Sequence, residues 1–577
     1  MRSDHRHPVR FVALVTALSA VTALAGCSSG GTVGSGHGGT STTAGSTTTI
    51  VITNGGTLTV GAEQEPDCFD WLGACAASSW GSWMAQFQTI PRVFDVVPRP
   101  DGSLQNVASN LLAGPPSFSA TPVETITYRI NPGAVWSDGV PITCADFAYT
   151  VDQEQHSTDI IDRTGYADIA RVDCSDRAKP VVTFKPAKTF AGWQSLFAGG
   201  TGVFPAHILA GHDRDKAMKN GYSWSGGPWI ARWTRGDNIT LTPNLRYWGT
   251  KPHLASVVFK FEGDTAAEFQ AFRSKQVQAI YPQPQIDVVD AISSGLGDAH
   301  VQTNSRTAYV EALWLNNARP PFAETAVRRA FAYAVDRIAI VKQLFGRLGV
   351  DRPANSINPY AVKDYSDQNA FAKYHLDLAM VTKLMTGAGW SKDSHGVWAK
   401  NGKQAAFTLA TTIGNKRREL TATIVQQELK EAGFAAKVDL RSPPALGGTD
   451  LPAGTVDVAL LAAGLTSLTP GQCTTFCSQN VPSAANQQSG QNYFRVSNPQ
   501  LDRLLTTVDT SLDDATRRSA AAQADTVMAD NLVALPLDPL PDILIWSPRV
   551  VGPIRDNSIE GMFWNINEWG CTGGVCN

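Results

Sequence analysis

The most reactive side chains of this chain are its cysteines, of which there are nine among 577 residues. Eight of them stand in close pairs, and disulfides are typical of proteins outside the cytoplasm. The spacings are not those of a zinc site and no histidine stands nearby, so we favour disulfides over a metal. Eight cysteines allow many connectivities, and we predict the local ones. These pairs are Cys68–Cys75, Cys144–Cys174, Cys473–Cys477 and Cys571–Cys576.

Nucleophilic catalysis would need a serine or cysteine that a base activates. The segment GYSWSG at 221–226 approaches a nucleophile elbow, but Ser225 stands where that motif requires its second glycine. The ten histidines are scattered, and none lies in an HExxH pattern. A secreted hydrolase is therefore the weaker alternative. We predict a protein that is not an enzyme and that needs neither a cofactor nor a metal.

The ninth cysteine, Cys27, directly follows a short apolar segment. Residues 1–10 are basic and residues 11–25 are mostly apolar, as in a secretory signal peptide. The apolar segment is shorter than the about 18 residues of a membrane-spanning helix. The motif LAGC at 24–27 resembles the bacterial lipobox, whose cysteine receives a diacylglyceryl group. We therefore predict a signal peptide over 1–26 and a lipid anchor on Cys27; the alternative is an ordinary signal peptide with an incidental cysteine.

The segment 27–49 consists almost entirely of glycine, serine and threonine after its cysteine. Such a composition buries too little apolar surface to fold by itself. A flexible chain of this length has a reach of roughly 25 Å. A GxGxxG pattern lies at 34–39, but neither a strand nor a helix flanks it, so it is not a dinucleotide site. We predict a tether that holds a folded body near a membrane.

Composition restricts the possible partners of that body. The formal net charge of the chain is -3, without a long basic or acidic run, which argues against nucleic acid as a partner. About 550 residues are enough for two or three domains. The 15 tryptophans, 50 glycines and 33 prolines indicate many turns and exposed aromatic surface.

Alternating strands and amphipathic helices follow one another along the body, which predicts an α/β fold. We expect strands near 57–62, 124–130, 180–186, 456–462 and 532–537, and a hairpin around 235–237. Thr143 and Asp146 form a capping-box pattern at the start of a helix. Further helices are predicted over 376–385 and 420–432, and another begins at Asn498-Pro499.

The longest apolar stripe lies within 323–345, and its spacing predicts one continuous helix. The apolar side chains recur at steps of three and four residues. They are Val327, Phe331, Val335, Ile338, Val341 and Phe345.

Five blocks in the same order resemble segments of a known family. They are TYRINPGAVWSDGVPITCADFAYTV, GGPWIARWTRGDNITLTPNLRYWG, LWLNNARPPFAETAVRRAFAYAVDRIAIV, YHLDLAMVTKLMTGAGW and YFRVSNPQLDRLL. The family is that of the extracytoplasmic solute-binding proteins of ABC importers, in the family 5 branch of oligopeptide- and dipeptide-binding proteins. The segments DCFDWLGACAASSWGSWM and FWNINEW look like those of actinobacterial lipoproteins in this family.

The resemblance implies a periplasmic-binding-protein-like α/β clamp of two halves and three lobes, with mixed sheets and flanking helices. A monomer would close on a peptide or peptide-like solute at a hinge cleft and then engage ABC permease subunits outside the cell membrane. The alternative is a lipoprotein of the same fold that binds a sugar-containing or other amphipathic solute, or acts as a sensor or adhesin. The implied divisions are 50–90, 225–315 and 540–577 for lobe I, 91–224 for lobe II and 316–539 for lobe III.

In the oligopeptide-binding relatives, an aspartate in a Trp-x-x-Asp-Tyr stretch holds the α-ammonium group of the peptide. An ungapped alignment places Ala463 at the tryptophan and Thr466 at the aspartate of this stretch. Thr466 offers one hydrogen bond but no charge, so recognition of a free peptide amine is in question. The resemblance thus implies Thr466 as a contact of the ligand.

Five other residues are candidates for ligand contact. Trp80 and Trp83 lie in a Gly/Ser-rich stretch and could form an aromatic floor, or could pack on the Cys68–Cys75 loop. Asn316 could contact ligand, but we favour a role in tying the hinge strands. Asn415 and Arg417 follow a predicted strand and could face the cleft; a solvated basic loop is the favoured alternative.

The lipid anchor gives a first test. The substitution Cys27→Ala removes the only thiol that the lipobox could acylate, so the protein should fold normally and leave the membrane fraction. Two acyl chains contribute about 0.8 kcal/mol per buried methylene, which is ample for stable anchoring. Fractionation followed by immunoblotting measures the outcome, and retention of the variant in membranes would refute the anchor.

Overall fold

The computed structural model describes residues 52–577 except 74, 77, 78, 101, 102, 161, 466, 470, 471 and 487. The predicted signal peptide, Cys27, the tether and Thr466 lie outside the described residues. None of the helices in the described part combines the length and apolar character needed to cross a bilayer.

The first large sheet, here called sheet A, has seven strands. Thr57–Ala62 lies in its middle and pairs in parallel with Ser256–Phe261 and Ala279–Ile280. Its alternating apolar residues Leu58 and Val60 are fully buried. The strands lie in the order His300–Asn304, Asp542–Trp546, Ala279–Ile280, Thr57–Ala62, Ser256–Phe261, Asn238–Pro243 and Trp229–Thr234.

The second large sheet, here called sheet B, has five strands. Its central strand Val458–Gly464 pairs in parallel with Ala406–Thr412 and antiparallel with Tyr309–Leu315. The strands lie in the order Ala435–Arg441, Ala406–Thr412, Val458–Gly464, Tyr309–Leu315 and Ala534–Pro539.

Two neighbouring segments, 305–308 and 540–541, connect the two sheets. The strands before and after them pair in both sheets, with Asn304 opposite Asp542 in sheet A and Val310 opposite Pro539 in sheet B. Between these pairs, Thr307 Oγ1 donates to Leu540 O at 2.8 Å. The chain therefore passes between the sheets as a two-stranded connection, here called the crossing ribbon.

Smaller sheets complete the body. A four-stranded sheet contains Ser117–Ser119, Thr125–Thr127, Val181–Phe184 and Ile169–Asp173, in that order. Two-stranded pairs join Phe94–Pro98 with Leu104–Ala108, and Val550–Val551 with Gly570–Cys571. A three-stranded sheet contains Ser391–Lys392, Trp398–Lys400 and Lys403–Gln404.

Helices cover the sheets and supply most of the remaining core. The longer ones are Cys144–His156, Thr265–Arg273, Ile286–Ser293, Thr325–Tyr333, Arg337–Phe345, Leu378–Gly387, Lys416–Ala432, Pro499–Thr510 and Asp514–Asn531. Shorter α-helices are Ser79–Gly81, Phe87–Thr89, Ala206–Leu209, Arg214–Met218, Pro443–Ala445, Leu451–Ala453 and Cys473–Phe476, and π-helical turns span Ser82–Gln86 and Leu446–Asp450.

The structure forms the four predicted disulfides, Cys68–Cys75, Cys144–Cys174, Cys473–Cys477 and Cys571–Cys576. Each closes a local loop. The bond at Cys473 closes a short loop directly after sheet B, in a part of the chain that lines a cavity described below.

The prediction of one helix over 323–345 is wrong, because the chain forms two helices, Thr325–Tyr333 and Arg337–Phe345. Asp336 caps the second helix by accepting a hydrogen bond from Ala339 N at 3.0 Å. Ile338, which the apolar stripe placed inside, is 52% exposed.

The break places Arg337 inside the protein, where it is 2% exposed. No carboxylate of the described residues pairs with it; its guanidinium donates to oxygen atoms of segments that converge from different parts of the chain. The acceptors are the carbonyls of Ala354, Phe371, Tyr374 and Pro536 and the side chain of Asn355. Burial lowers the pKa of Arg337 to about 10.

The substitution Arg337→Lys should destabilise the protein by about 3 kcal/mol, because an ammonium cannot reach acceptors arranged around a planar fork and leaves buried carbonyls unpaired. Urea unfolding measures the change, with exposed Arg352→Lys as the matched control. Equal unfolding midpoints for the two variants would contradict this account of Arg337.

Candidate ligand-binding cavity

A cavity of about 510 Å³ lies between the parts of the chain that carry the different sheets. Most of its lining comes from residues in 71–82, 154–201 and 463–476, and Trp314, Ile357, Gln491 and Asp509 complete it. The segment 463–476 begins at the end of the strand Val458–Gly464 of sheet B, whereas 71–82 follows the first strand of sheet A. A volume of this size falls within the range of small-molecule sites, about 300–1,000 Å³.

One wall of the cavity is aromatic. Trp314 lies on a strand of sheet B, is 5% exposed and stacks between Phe476 and Phe494 at centroid distances of 5.9 and 5.6 Å. Its Nε1 donates to Leu461 O at 3.0 Å, so the ring is held in one orientation. Trp71 forms part of the opposite wall and donates from Nε1 to the hydroxyl of Tyr222 at 2.6 Å.

A strand end of sheet B reaches the cavity. Ala463 and Gly464, the last residues of Val458–Gly464, line it. The pairing of this strand with Ala406–Thr412 covers only Val458 and Ala459, so the edge beyond has no strand partner on that side among the described residues. Hydroxyl side chains line the same cavity, from Ser79, Ser82, Thr164, Ser195, Thr201, Ser467, Thr469, Thr474 and Thr475.

Two hydrogen bonds join opposite walls at the margin of the cavity. Ala191 N donates to Asp509 O at 2.7 Å, and Thr189 Oγ1 donates to Thr510 O at 2.6 Å. Asp509 and Thr510 end the helix Pro499–Thr510, which packs in the part of the protein built on sheet B. The structure therefore has these two walls in contact.

Three carboxyl groups lie in the lining, those of Glu154, Asp162 and Asp509. Burial, together with repulsion from Asp162, raises the pKa of Glu154 to about 8. The same two causes raise the pKa of Asp509 to about 7. At neutral pH these two groups are therefore partly protonated in the empty cavity.

Trp80 and Trp83 lie behind the cavity wall and do not line it. They are 2% and 7% exposed, and both rings pack on Tyr281 at 5.6 and 5.4 Å. Their small neighbours Ser79 and Ser82 face the cavity instead. The Gly/Ser-rich stretch thus turns its hydroxyl groups toward the cavity and its rings into the core.

Asn316 is 1% exposed and lies just beyond the strand Tyr309–Leu315, at the end away from the crossing ribbon. Its amide donates to Gly454 O at 3.1 Å and to Val456 O at 3.0 Å. It ties that strand to the loop before the next strand of sheet B, and it does not line the cavity.

Asn415 and Arg417 lie at the start of the helix Lys416–Ala432 and stabilise it through contacts within the protein. Asn415 Oδ1 accepts from Arg418 N at 3.0 Å and so caps the helix. Arg417 is 2% exposed and pairs with buried Glu311, whose other oxygen accepts from Arg418 Nε at 3.0 Å. Neither residue lines the cavity, so the structure separates all five described candidates from it.

Sequence reasoning did not find Trp314, Glu154 or Asp509. The sequence offered a signal only for the hydroxyl groups of one wall. The run GLTSLT at 464–469, which is rich in small and hydroxyl residues, comes just after the predicted strand 456–462. The carboxyl groups lie on segments that are far apart in the sequence, and no local pattern marks them.

The residues considered for catalysis have other partners. Ser225 is fully buried and donates to Thr89 O at 3.1 Å. His207 Nε2 lies 2.9 Å from Asp138 Oδ2. Among the described residues, no group of three histidine, cysteine or acidic side chains could hold a metal ion.

The ion pairs of Glu311 give a test of stability. Burial alone would raise the pKa of Glu311, but Arg417 and Arg418 bring it below the ordinary value. Glu311→Gln should therefore cost about 3 kcal/mol at pH 7, because it removes the carboxylate that pairs directly with both buried guanidinium groups. A lowered pKa contributes stability above the unfolded value of 4.5. The difference from wild type should thus shrink as the pH falls below that value.

The matched control is Glu419→Gln, which removes a more exposed pair with Lys416 and should cost less than about 1 kcal/mol. Urea unfolding between pH 3 and 7 measures both variants. A pH-independent difference between Glu311→Gln and wild type would show that the ion pairs are not the cause.

Comparison with solved structures shows which fold this is. The oligopeptide-binding protein AppA from Bacillus subtilis, solved with a nonapeptide, has a TM-score of 0.78 at 20% identity and covers 90% of this chain and 100% of its own. NikZ from Campylobacter jejuni, solved with Ni(L-His), has a TM-score of 0.76 at 18% identity, with coverages of 89% and 99%. The chain thus has the fold of these binding proteins, which accommodates chemically different ligands.

Comparison of sequences agrees with the fold. The oligopeptide-binding protein OppA of Mycobacterium tuberculosis is 26% identical over 469 residues, which are 78% of this chain and 75% of the relative. Residues 112–481 match the model of the bacterial extracellular solute-binding proteins, family 5 Middle. That match spans more than half of the chain. This chain therefore belongs to the bacterial extracellular solute-binding proteins of family 5.

Proposed function

We propose that this chain is the membrane-anchored solute-binding protein of an ABC import system and that it captures a peptide or peptide-like solute. The observation that carries the proposal is the cavity of about 510 Å³, with walls from both sides of the crossing ribbon. A solute in this position contacts both halves at once. It therefore stabilises the closed arrangement relative to an open one.

The lining suits the main chain of a peptide. The free edge of the strand at Ala463 and Gly464 offers backbone groups to an extended segment, as in β-strand addition. The surrounding serines and threonines can donate to and accept from peptide amides. Trp314 and Trp71 contribute apolar surface to the lining, and this surface suits side chains of varied type. Relatives described as oligopeptide-binding support this choice of solute.

The crossing ribbon provides the hinge of the proposed cycle. Opening would break the contacts of Thr189 and Ala191 with the helix end at 509–510 and expose the cavity. The resemblance implies the lobe divisions 50–90, 225–315 and 540–577 for lobe I, 91–224 for lobe II and 316–539 for lobe III. A hinge at the crossing ribbon would move the strand Tyr309–Leu315 of sheet B into lobe III. The lipid on Cys27 and the tether over 27–49 would keep a monomer at the outer face of the membrane, beside the permease.

Binding without turnover tests this function. We expect an equimolar tetrapeptide library to raise the melting temperature in a concentration-dependent way. Mass spectrometry should recover the bound peptides intact. Cleaved peptides, or no shift with any pool, would contradict the proposed function.

A variant pair localises the binding. Trp314→Leu should weaken peptide binding about tenfold, because aromatic residues at the centre of a site carry much of the affinity. Trp564→Leu is the matched control, since Trp564 does not line the cavity. Unliganded melting temperatures show whether both variants fold.

A further inference from the structure

We propose that the cavity selects a solute with a positively charged nitrogen, an ammonium or guanidinium group, and that Glu154 and Asp509 on opposite walls are its counter-ions. The inference rests on the proposed function, because it assigns the charge of the solute that this cavity takes. It concerns residues other than Thr466, the position that the family resemblance assigned to the amine.

The charges of the lining have one sign. Glu154, Asp162 and Asp509 are the charged residues of the described lining, and that lining contains no lysine, arginine or histidine. Glu154 is buried and Asp509 is half-buried, so ionising both without a nearby cation is unfavourable. A cationic solute would supply the missing charge.

Glu154 has one oxygen without a partner. Its side chain is 4% exposed, Oε1 accepts from Thr201 Oγ1 at 3.2 Å, and the buried Oε2 has no hydrogen bond to any residue that the structure describes. Arg163, although close by, donates to the carbonyls of Glu154, Gln155 and Ser157. A buried acceptor that lines a cavity and lacks a donor indicates a group that is supplied by a ligand.

The nearby guanidinium of Arg214 does not neutralise Glu154 either. Arg214 Nε lies 2.9 Å from Asp70 Oδ1, and its Nη2 pairs with Asp159. Both carboxylates lie outside the described cavity lining. Arg214 therefore has its own counter-ions, and the cavity remains acidic.

Asp509 shows the same lack of a donor on the opposite wall. Its Oδ1 is buried without a hydrogen bond, and nearby Arg517 donates from Nε to Val508 O at 3.0 Å. Asp509 lies one residue before the end of the helix Pro499–Thr510, where the helix dipole is negative and favours cations. Two residues of one cavity lining, on opposite walls, thus each carry a buried carboxyl oxygen without a donor among the described residues.

Asp162 adds to the negative field from the loop that follows the helix of Glu154. Its Oδ1 accepts from Thr164 N and Oγ1 at 2.9 and 2.6 Å, and its charge raises the pKa values of both Glu154 and Asp509. Arg163 and Arg214 act in the opposite direction on Glu154, as Arg517 does on Asp509. The raised values show that repulsion and burial prevail in the empty cavity.

This arrangement predicts the direction of a pH effect. A bound cation favours the ionised carboxylates, so affinity should rise with pH through the range in which Glu154 and Asp509 titrate, about 7 to 8 in the empty cavity. Binding should release protons. Below that range Glu154 and Asp509 are protonated and the preference for a cation weakens.

Competitive capture tests the inference on the whole folded protein. The probe is an equimolar tetrapeptide library, half with free and half with acetylated N termini, and bound peptides are quantified by mass spectrometry at pH 8. Peptides with a positive charge should be enriched at least tenfold over blocked peptides without one. Acetylated peptides that contain lysine or arginine distinguish a side-chain cation from the α-ammonium group.

Variants and a second probe separate the possible failures. Glu154→Gln and Asp509→Asn should each reduce the enrichment about tenfold, whereas Glu431→Gln and Asp530→Asn, both exposed, should not change it. Spermidine, titrated by calorimetry at pH 6 and 8, should bind more weakly at pH 6. Melting temperatures show whether the variants fold. The comparison of charged with neutral peptides uses the wild-type protein and so does not depend on any variant.

Equal capture of charged and neutral peptides would overturn the inference and leave the proposed function intact. Binding of spermidine without binding of any peptide would overturn the peptide function and support the charge selection. Binding of neither probe would overturn both.

Discussion

The crossing ribbon is the constraint on which the rest of the structure depends. Segments 305–308 and 540–541 carry the chain between sheet A and sheet B, and the strands on either side of them remain paired. Two paired strands resist twisting and sliding more than a single linker does, but they can bend across their common plane. The cavity lies where such a bend would open or close the space between the sheets, so the position of the site follows from the topology.

Most residues that line the cavity lie on loops and helices between the strands, and the sheets hold these segments in position. The loop after Val458–Gly464 brings hydroxyl groups and, through the disulfide Cys473–Cys477, a fixed turn to one wall. The facing wall uses the segment 154–201, which is inserted between strands of sheet A. Strands of the large sheets contribute Trp314, Ala463 and Gly464. Loops can vary while the sheets keep their register, which explains how one fold accommodates a peptide in one relative and a nickel complex in another.

Local patterns in the sequence predicted those elements whose stabilising partners are close in the chain. The capping box of Thr143 and Asp146 and the helix start at Asn498-Pro499 are present in the structure. Periodicity failed at 334–336, because the break there depends on carbonyls near Ala354, Phe371 and Pro536 that receive Arg337. Only the folded chain brings these acceptors together.

The candidate site was less predictable for the same reason. The partner of Trp80 and Trp83, Tyr281, is about 200 residues away, and that of Arg417 is Glu311. A residue type that suits ligand binding suits a core or a buried ion pair equally well, and long-range contacts decide between them. The family resemblance predicted a binding cleft, but it could not specify which side chains line the cavity.

The distance across the cavity margin tests the central claim most directly. Spin labels at exposed Lys188 and Thr506 flank the contact between Thr189 and Thr510, and pulsed electron resonance measures their separation. The account predicts a long, broad distribution without solute and a short, narrow one with saturating peptide. The same narrow distribution in both states would contradict a clamp that closes around its solute.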